Sequence, residues 1–454
     1  MKPAIRSLAA PAVALAVALS LTSVVPLTGC GLWSESDEKQ EPATKLPPPP
    51  ESLDSFLDLD QRPFPLLTWA TYVVTRDYVS KQRFDPSEQL KSALTELGRH
   101  RPAFFATYEP SAASGEFTVT VGSATQTFKA GDLGELMAAS DVLSEVLVFT
   151  RDALELEGTP LRELEYHAIN GLLAPLDPHT ILLDPREHND LGVRTRGQFG
   201  GIGAEIRVDQ RRIGIVRVMP GSPAEKAGVK DGDILLEIGE QSTVSMSSLE
   251  AQELLRGPVG TEVEVKIQRG EEILTTTITR AIIRVESVNY ERLADDVGYV
   301  QLTTFQKNTG EKVRDAISDM SLEAAAGEAR KGGPLKGLVI DVRGNSGGLL
   351  TQAIEVLDLL VGTGELVIVR SSAGRESQSA KPEVVLPATA SVVVLVDEDS
   401  ASASEIVSGA ITALKRGVVV GRSTFGKGSV QLLTPKTMYE QEQALKLTIA
   451  EYQV

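Results

Sequence analysis

The sequence predicts a multidomain α+β protein: a helical N-terminal region, a small β-domain and an α/β core. Three patterns carry this. Between 55 and 190, apolar residues recur at mixed three- and four-residue spacing. Between 195 and 282, glycines punctuate short strand-like runs, and from 283 to 454 strands and helices alternate. The length of 454 residues fits three domains at roughly 150 residues each.

Composition removes several classes of function. Hydrophobic residues make up 42% and charged residues 24%, which excludes wholesale disorder and a polytopic membrane protein. A net charge of −17 offers no basic face, so nucleic acid is not expected as a partner. The single cysteine rules out an internal disulfide framework, and four histidines leave little for a histidine-built zinc site. Neither a metal nor another cofactor is expected.

The first 29 residues read as a signal peptide. Lys2 and Arg6 precede an uncharged apolar run from Leu8 to Val25, which ends in Leu27-Thr28-Gly29-Cys30. That exit resembles the lipobox of bacterial lipoproteins, with Cys30 as the lipidated residue tethering the chain to a membrane. Gly31, rather than Asp, follows it. The expected location is therefore periplasmic, on the inner face of an outer membrane, or the extracellular side. Residues 30–54 are acidic and proline-rich, a tether rather than a domain.

Helices are expected over Leu66–Tyr78, Ser87–Leu97, Asp132–Glu155 and Pro160–Ala174, with a hairpin from Glu116 to Lys129. In the β-domain, strands are expected over Gln198–Val208, Ile213–Val218, Ile234–Ile238 and Glu262–Gln268. Short helices should follow Ser222-Pro223 and span Ser248–Leu255. This order resembles a PDZ domain. Phe199-Gly200-Gly201-Ile202-Gly203 looks like its carboxylate-binding loop, in which consecutive backbone N–H groups would hold a peptide's terminal carboxylate.

Three loops follow expected strands of the core, where open α/β sheets place ligands. They are Asp341–Gly348, Asp399–Glu405 and Gly421–Gly428. The third contains Gly421, Gly426 and Lys427 in phosphate-loop spacing. However, Gly428 stands where a magnesium-binding hydroxyl is needed, and a strand follows instead of a helix. A nucleotide site is not expected, so the lysine needs another task. The second loop offers Ser400, Ser402 and Ser404 at a helix start, more hydroxyls than a cap requires. A serine nucleophile needs a base. All histidines precede residue 190, whereas a buried lysine can lose its charge and serve.

Six segments in order now resemble the carboxy-terminal processing protease family. They are Leu176-Asp177-Pro178-His179, Thr195–Gly201, Gly221-Ser222-Pro223-Ala224, Asp341–Gly348, Ser400-Ala401-Ser402-Ala403-Ser404-Glu405 and Thr424-Phe425-Gly426-Lys427-Gly428. The resemblance implies a ClpP/crotonase-like core and a serine endopeptidase. It also implies Ser402 as nucleophile, Lys427 twenty-five positions later as general base, and Gln431 orienting the lysine. By the same resemblance the oxyanion hole is formed by the N–H groups of Gly348 and Ala403, and Arg256 links the PDZ domain to the active site. Glu405 reads as a helix stabiliser and His179 as structural. Protein substrates with exposed C-terminal tails are the implied partners, with a homodimer or an adaptor protein left open. The competing reading is a PDZ-containing binding or adaptor lipoprotein on the same fold, inactive as an enzyme. The expected domains are thus 1–29, 30–54, 55–190, 195–282 and 283–454. Because the strand expected over Ala444–Tyr452 runs almost to Val454, the chain is expected to be C-terminally truncated.

Overall fold

The structure is a computed structural model that describes residues 57–109, 115–131, 133–209, 211–293, 296–326, 334–382 and 384–453. The expected signal peptide, Cys30 and the proline-rich tether lie outside the described residues. No helix among the described residues is long and apolar enough to cross a membrane.

The N-terminal region packs helices α1 (Pro65–Asp77), α2 (Pro86–His100), α3 (Leu136–Leu154) and α4 (Gly158–Leu173) around a three-stranded sheet of β1 (Phe104–Ala106), β2 (Glu116–Val121) and β3 (Ala124–Lys129). Asp85 caps α2 by accepting the Glu88 N–H at 3.1 Å, with Pro86 in the first turn. The buried leucines of α2 and α4 share one core with Phe117, Phe128, Leu445 and Leu447. Two strand residues from the far end of the chain therefore complete the helical core. After β4 (Ile181–Leu183), helix α5 (Pro185–Arg196) starts from a reciprocal Asp184–Glu187 capping box. The limit expected at 190 falls inside this helix.

The second unit is a β-sheet in the order β11-β10-β8-β7-β6, built from β6 (Ala204–Asp209), β7 (Arg212–Val218), β8 (Ile234–Ile238), β10 (Glu262–Arg269) and β11 (Glu272–Thr279). A short β9 (Gln241–Ser242) pairs with β8, while β5 (Gln198–Gly201) pairs separately with β12 (Ala281–Arg284). Helices α6 (Pro223–Lys226) and α7 (Ser248–Leu255) are capped by Ser222 and Ser247. The single strand expected over Gln198–Val208 is two strands. Ala224 N–H takes the Ile202 carbonyl and Met219 N–H takes the Gly203 carbonyl, drawing the chain from β12 towards β7. Phe199, Gly200 and Gly201 are thus strand residues, and only Ile202-Gly203 turns.

The third unit holds a mixed sheet of β13 (Val288–Arg292), β14 (Val297–Leu302), β15 (Gly337–Asp341), β18 (Ser391–Val396) and β19 (Val418–Gly421), in that order. Its last four strands run parallel. Helices α8 (Thr309–Ala326), α9 (Leu350–Asp358) and α10 (Ala403–Ala413) supply Val313, Val356 and Ile406 to the same core as Val300, Ile340 and Val394. A second sheet, β17-β16-β21-β20, comprises β16 (Glu365–Ser371), β17 (Gly374–Ser379), β20 (Ser429–Met438) and β21 (Gln441–Gln453), with β4 joined to β21. The sequence did not announce α5, α8, β1, β4, β9, β11, β12, β13 or the β16–β17 hairpin. The hairpin strand β17 is almost wholly exposed and carries no apolar alternation to signal it.

Candidate active site

The C-terminal ends of β15, β18 and β19 release three loops that lock together. Val342 N–H donates to the Leu395 carbonyl (3.0 Å), Ala401 N–H to the Asn345 carbonyl (3.1 Å) and Phe425 N–H to the Ser400 carbonyl (3.0 Å). The buried Asn345 amide donates to the Leu302 carbonyl (2.8 Å) and accepts from Gly347 N–H (2.9 Å), fixing the glycine turn.

This frame assigns different tasks to the three serines. Ser400 is fully buried and donates to the Val342 carbonyl at 2.8 Å. Ser404 is equally buried and donates to the Asn345 carbonyl at 2.9 Å. Ser402, at the N-cap of α10, is partly exposed and lines a cleft of about 350 Å³. Its backbone angles, φ 54° and ψ −114°, are rare for a residue with a side chain. Such an observed outlier on a strand-to-helix turn suits a nucleophile raised into a cleft.

The same cleft is lined by Lys427, Gln431, Gly347, Gly348, Lys446 and Tyr452. Gly347 sits so close to the serine that an added Cβ would lie 2.7 Å from Ser402 Cβ and 3.1 Å from Ala403 N. Among the described residues, the N–H groups of Gly348 and Ala403 donate to no protein acceptor. Two unspent donors beside Ser402 are what a developing oxyanion requires.

Burial holds the Lys427 amine below the usual lysine range; nearby Lys446 adds to the effect, and Glu405 and Asp177 oppose it. An amine so placed is closer to neutrality than a solvated one. The loop carrying it is clamped by Glu405. That carboxylate accepts from Ser402 N–H (2.7 Å), Gly426 N–H (2.6 Å), Lys427 N–H (2.9 Å) and Thr424 Oγ1 (2.9 Å). The expectation of a helix-stabilising Glu405 is therefore too narrow, because one carboxylate joins the serine's backbone to the lysine's.

Gln431 lines the cleft, but its amide donates to Ser429 Oγ (2.9 Å) and Thr448 Oγ1 (3.4 Å). Thr448 in turn donates to Asp177 Oδ1 at 3.1 Å. Burial works against the Asp177 carboxylate. Hydrogen bonds from Thr180, His179 N–H, Tyr78 and Thr448 nevertheless hold it below the usual range. Burial pushes His179 down, with Lys427 and Lys446 adding to the effect and Asp177 opposing it. The sequence reading singled out the Asp177 segment without a task for it. The relay through Thr448 to Gln431 joins residues too distant in sequence to be read together. Tyr452 was also missed. Its hydroxyl donates to the Lys427 carbonyl and reaches Ser402, and burial pushes its ionisation up.

In the β-domain, β6 is the edge strand with α7 alongside, the arrangement in which an added peptide strand would lie. The Arg256 guanidinium lies 4.6 Å from the Phe199 ring centroid and pairs with Asp190 of α5 at 2.7 Å. The next turns of α5, through Leu191 and Arg194, line the cleft.

Two of these regions are similar to known protein families. Residues 296–454 match peptidase family S41 and residues 214–269 match a PDZ domain. A carboxy-terminal-processing protease of Bartonella bacilliformis is 36% identical over 64% of this chain and 65% of its own length. The carboxy-terminal processing protease CtpA of Bacillus subtilis is 33% identical over 63% of this chain and 59% of its own. Among solved structures, a photosystem II D1 C-terminal processing protease aligns at 26% identity and a TM-score of 0.42, over 86% of this chain and 88% of that one. The chain spans about six tenths of the length of the curated relatives it matches.

Proposed function

The chain belongs to the carboxy-terminal processing protease family, and on that premise we propose that it is an extracytoplasmic serine endopeptidase acting through Ser402 and Lys427. The observation that carries this is the sharing of one cleft by Ser402 and a desolvated Lys427, while Ser400 and Ser404 are spent on buried hydrogen bonds.

Ser402 Oγ attacks the scissile carbonyl as Lys427 Nζ takes its proton, and the N–H groups of Gly348 and Ala403 receive the oxyanion. The leaving amine takes that proton from Lys427. Water then attacks the acyl ester, giving its proton to the same lysine, and Ser402 Oγ leaves by taking that proton, which returns Lys427 to its neutral form. Gln431, held by Ser429 and by Thr448 on Asp177, shapes the wall beside the lysine. Substrates are proteins with exposed C-terminal tails. The tail pairs along β6, with its carboxylate at the Ile202-Gly203 turn and at the neighbouring Phe199-Gly200-Gly201 strand. Arg256, bound to Phe199 and to Asp190, transmits occupancy to α5 at the cleft. Lipidation at Cys30 would hold the enzyme at a membrane.

The test is cleavage of a tailed protein by the purified chain and its Ser402→Ala variant, alongside tail binding. Loss of cleavage with binding retained supports the protease. Cleavage that survives the substitution refutes it, and binding without cleavage by the unmodified chain leaves an adaptor.

A further inference from the structure

Two of the four histidines stack against each other far from Ser402 in sequence. Helices α2 and α4 pack so closely that a Cβ on Gly171 would lie 2.7 Å from Ala93 Cα and 2.8 Å from Glu96 Cβ. One turn earlier on α4 stands His167; one turn later on α2 than Glu96 stands His100. Their rings stack with centroids 3.6 Å apart and planes inclined by 13°. His100 Nε2 lies 2.9 Å from Glu96 Oε1. One ligand atom from each of Glu96, His100 and His167 falls within 4.8 Å of the others.

From this geometry we propose that Glu96, His100 and His167 form a binding site for a divalent transition metal, with Zn2+ as the representative ion. Metal–ligand bonds of about 2.0–2.2 Å to imidazole and carboxylate need donors somewhat closer than 4.8 Å, a change that side-chain rotation supplies. The i,i+4 pair on α2 faces one way, and the third donor comes from the neighbouring helix, so the ion staples α2 to α4. Two imidazoles and one carboxylate favour zinc, nickel or copper over calcium or magnesium, which prefer oxygen alone. His100 is exposed, leaving the site reachable and a coordination position open to water. The surrounding charges are mixed. Arg99 pairs with the second oxygen of Glu96 at 3.0 Å, and Arg101 reaches Glu163 at 3.5 Å. The affinity therefore rests on the donors rather than on a general negative field. This departs from the expectation of no metal, which rested on counting histidines without knowing that two of them meet.

The full chain, stripped with EDTA, is titrated with ZnCl2 in competition with a chromophoric chelator, and its Tm is measured with and without zinc. One equivalent should bind, and Tm should rise by a few degrees. His100→Ala and His167→Gln should each weaken binding about tenfold or more and abolish the rise in Tm, while His188→Ala changes neither. Circular dichroism of the zinc-free variants confirms that they fold, and Glu96→Gln provides a third substitution should either histidine variant not. Binding that is unchanged in the His100 and His167 variants, or equally lost in His188→Ala, overturns the proposal, as does failure to bind one equivalent.

Discussion

Replacing Glu405 with alanine removes the carboxylate that ties the serine to the lysine loop. Four donors lose their acceptor; the Gly426 bond is exposed and the part-buried Thr424 hydroxyl can rotate, whereas Ser402 N–H and Lys427 N–H are a part-buried main-chain pair fixed in direction. A hydrogen bond to a charged group contributes about 1.5–3 kcal/mol, so losing these two weakens the clamp by about 3 kcal/mol or more. If that ordering is needed to keep Lys427 beside Ser402, kcat falls about 100-fold. Glu405 touches neither the β6 edge nor the Ile202-Gly203 turn, so KM for a tailed peptide should hardly move. Glu405→Gln, which keeps one acceptor oxygen, should fall between the two. Steady-state kinetics on a fluorogenic tailed peptide, with Tm measured beside it, reads all of this. A Glu405→Ala enzyme with kcat within about threefold of the parent would show that the clamp does not position the lysine.

Three further outcomes are expected. Lys427 must be neutral to act as base, so kcat/KM should fall as pH drops through its lowered pKa. Lys446→Met, by removing one cause of that lowering, should move this acidic limb to higher pH; a move to lower pH would contradict the assignment. Gly347→Ala places a Cβ 2.8 Å from the Ala401 carbonyl at φ +102°, so the turn must shift, and kcat should drop about 100-fold while far-UV circular dichroism is retained. Burial pushes the Glu165 carboxyl up to about 7, with hydrogen bonds from Tyr439 and the Leu66 and Leu67 N–H groups opposing it. The folded state thus holds the proton more tightly than the unfolded chain, and stability contributed at low pH is lost as pH rises from about 4.5 to 7, by about 3 kcal/mol in all. Glu165→Gln should flatten that loss; urea titrations at pH 5 and 8 that decline as steeply as for the parent would refute it.

Much of the candidate site was legible because its chemistry is local. The glycine turn at 347–348, the serine run and the Phe425-Gly426-Lys427 turn each sit on a strand end that apolar runs announce. The strand over Ile234–Ile238 has the limits the sequence suggested, since an apolar run broken only by Glu237 stops at the turn residue Gly239. What stayed hidden is long-range. Leu445 and Leu447 read as strand residues, but nothing local tells that they close the helical core. The Asp177–Thr448–Gln431 relay and the His100–His167 stack likewise join positions brought together only by packing. Nor does alternation distinguish a pairing of β5 with β12 from one continuous strand.

In the function proposed, Ser402, activated by Lys427, is the nucleophile. A fluorophosphonate that esterifies activated serines, followed by peptide mapping in a mass spectrometer, tests it directly. The label should sit on Ser402 alone, and Lys427→Ala should abolish it while leaving the fold intact. Labelling of Ser400 or Ser404, or labelling of Ser402 that is indifferent to Lys427, would contradict that assignment.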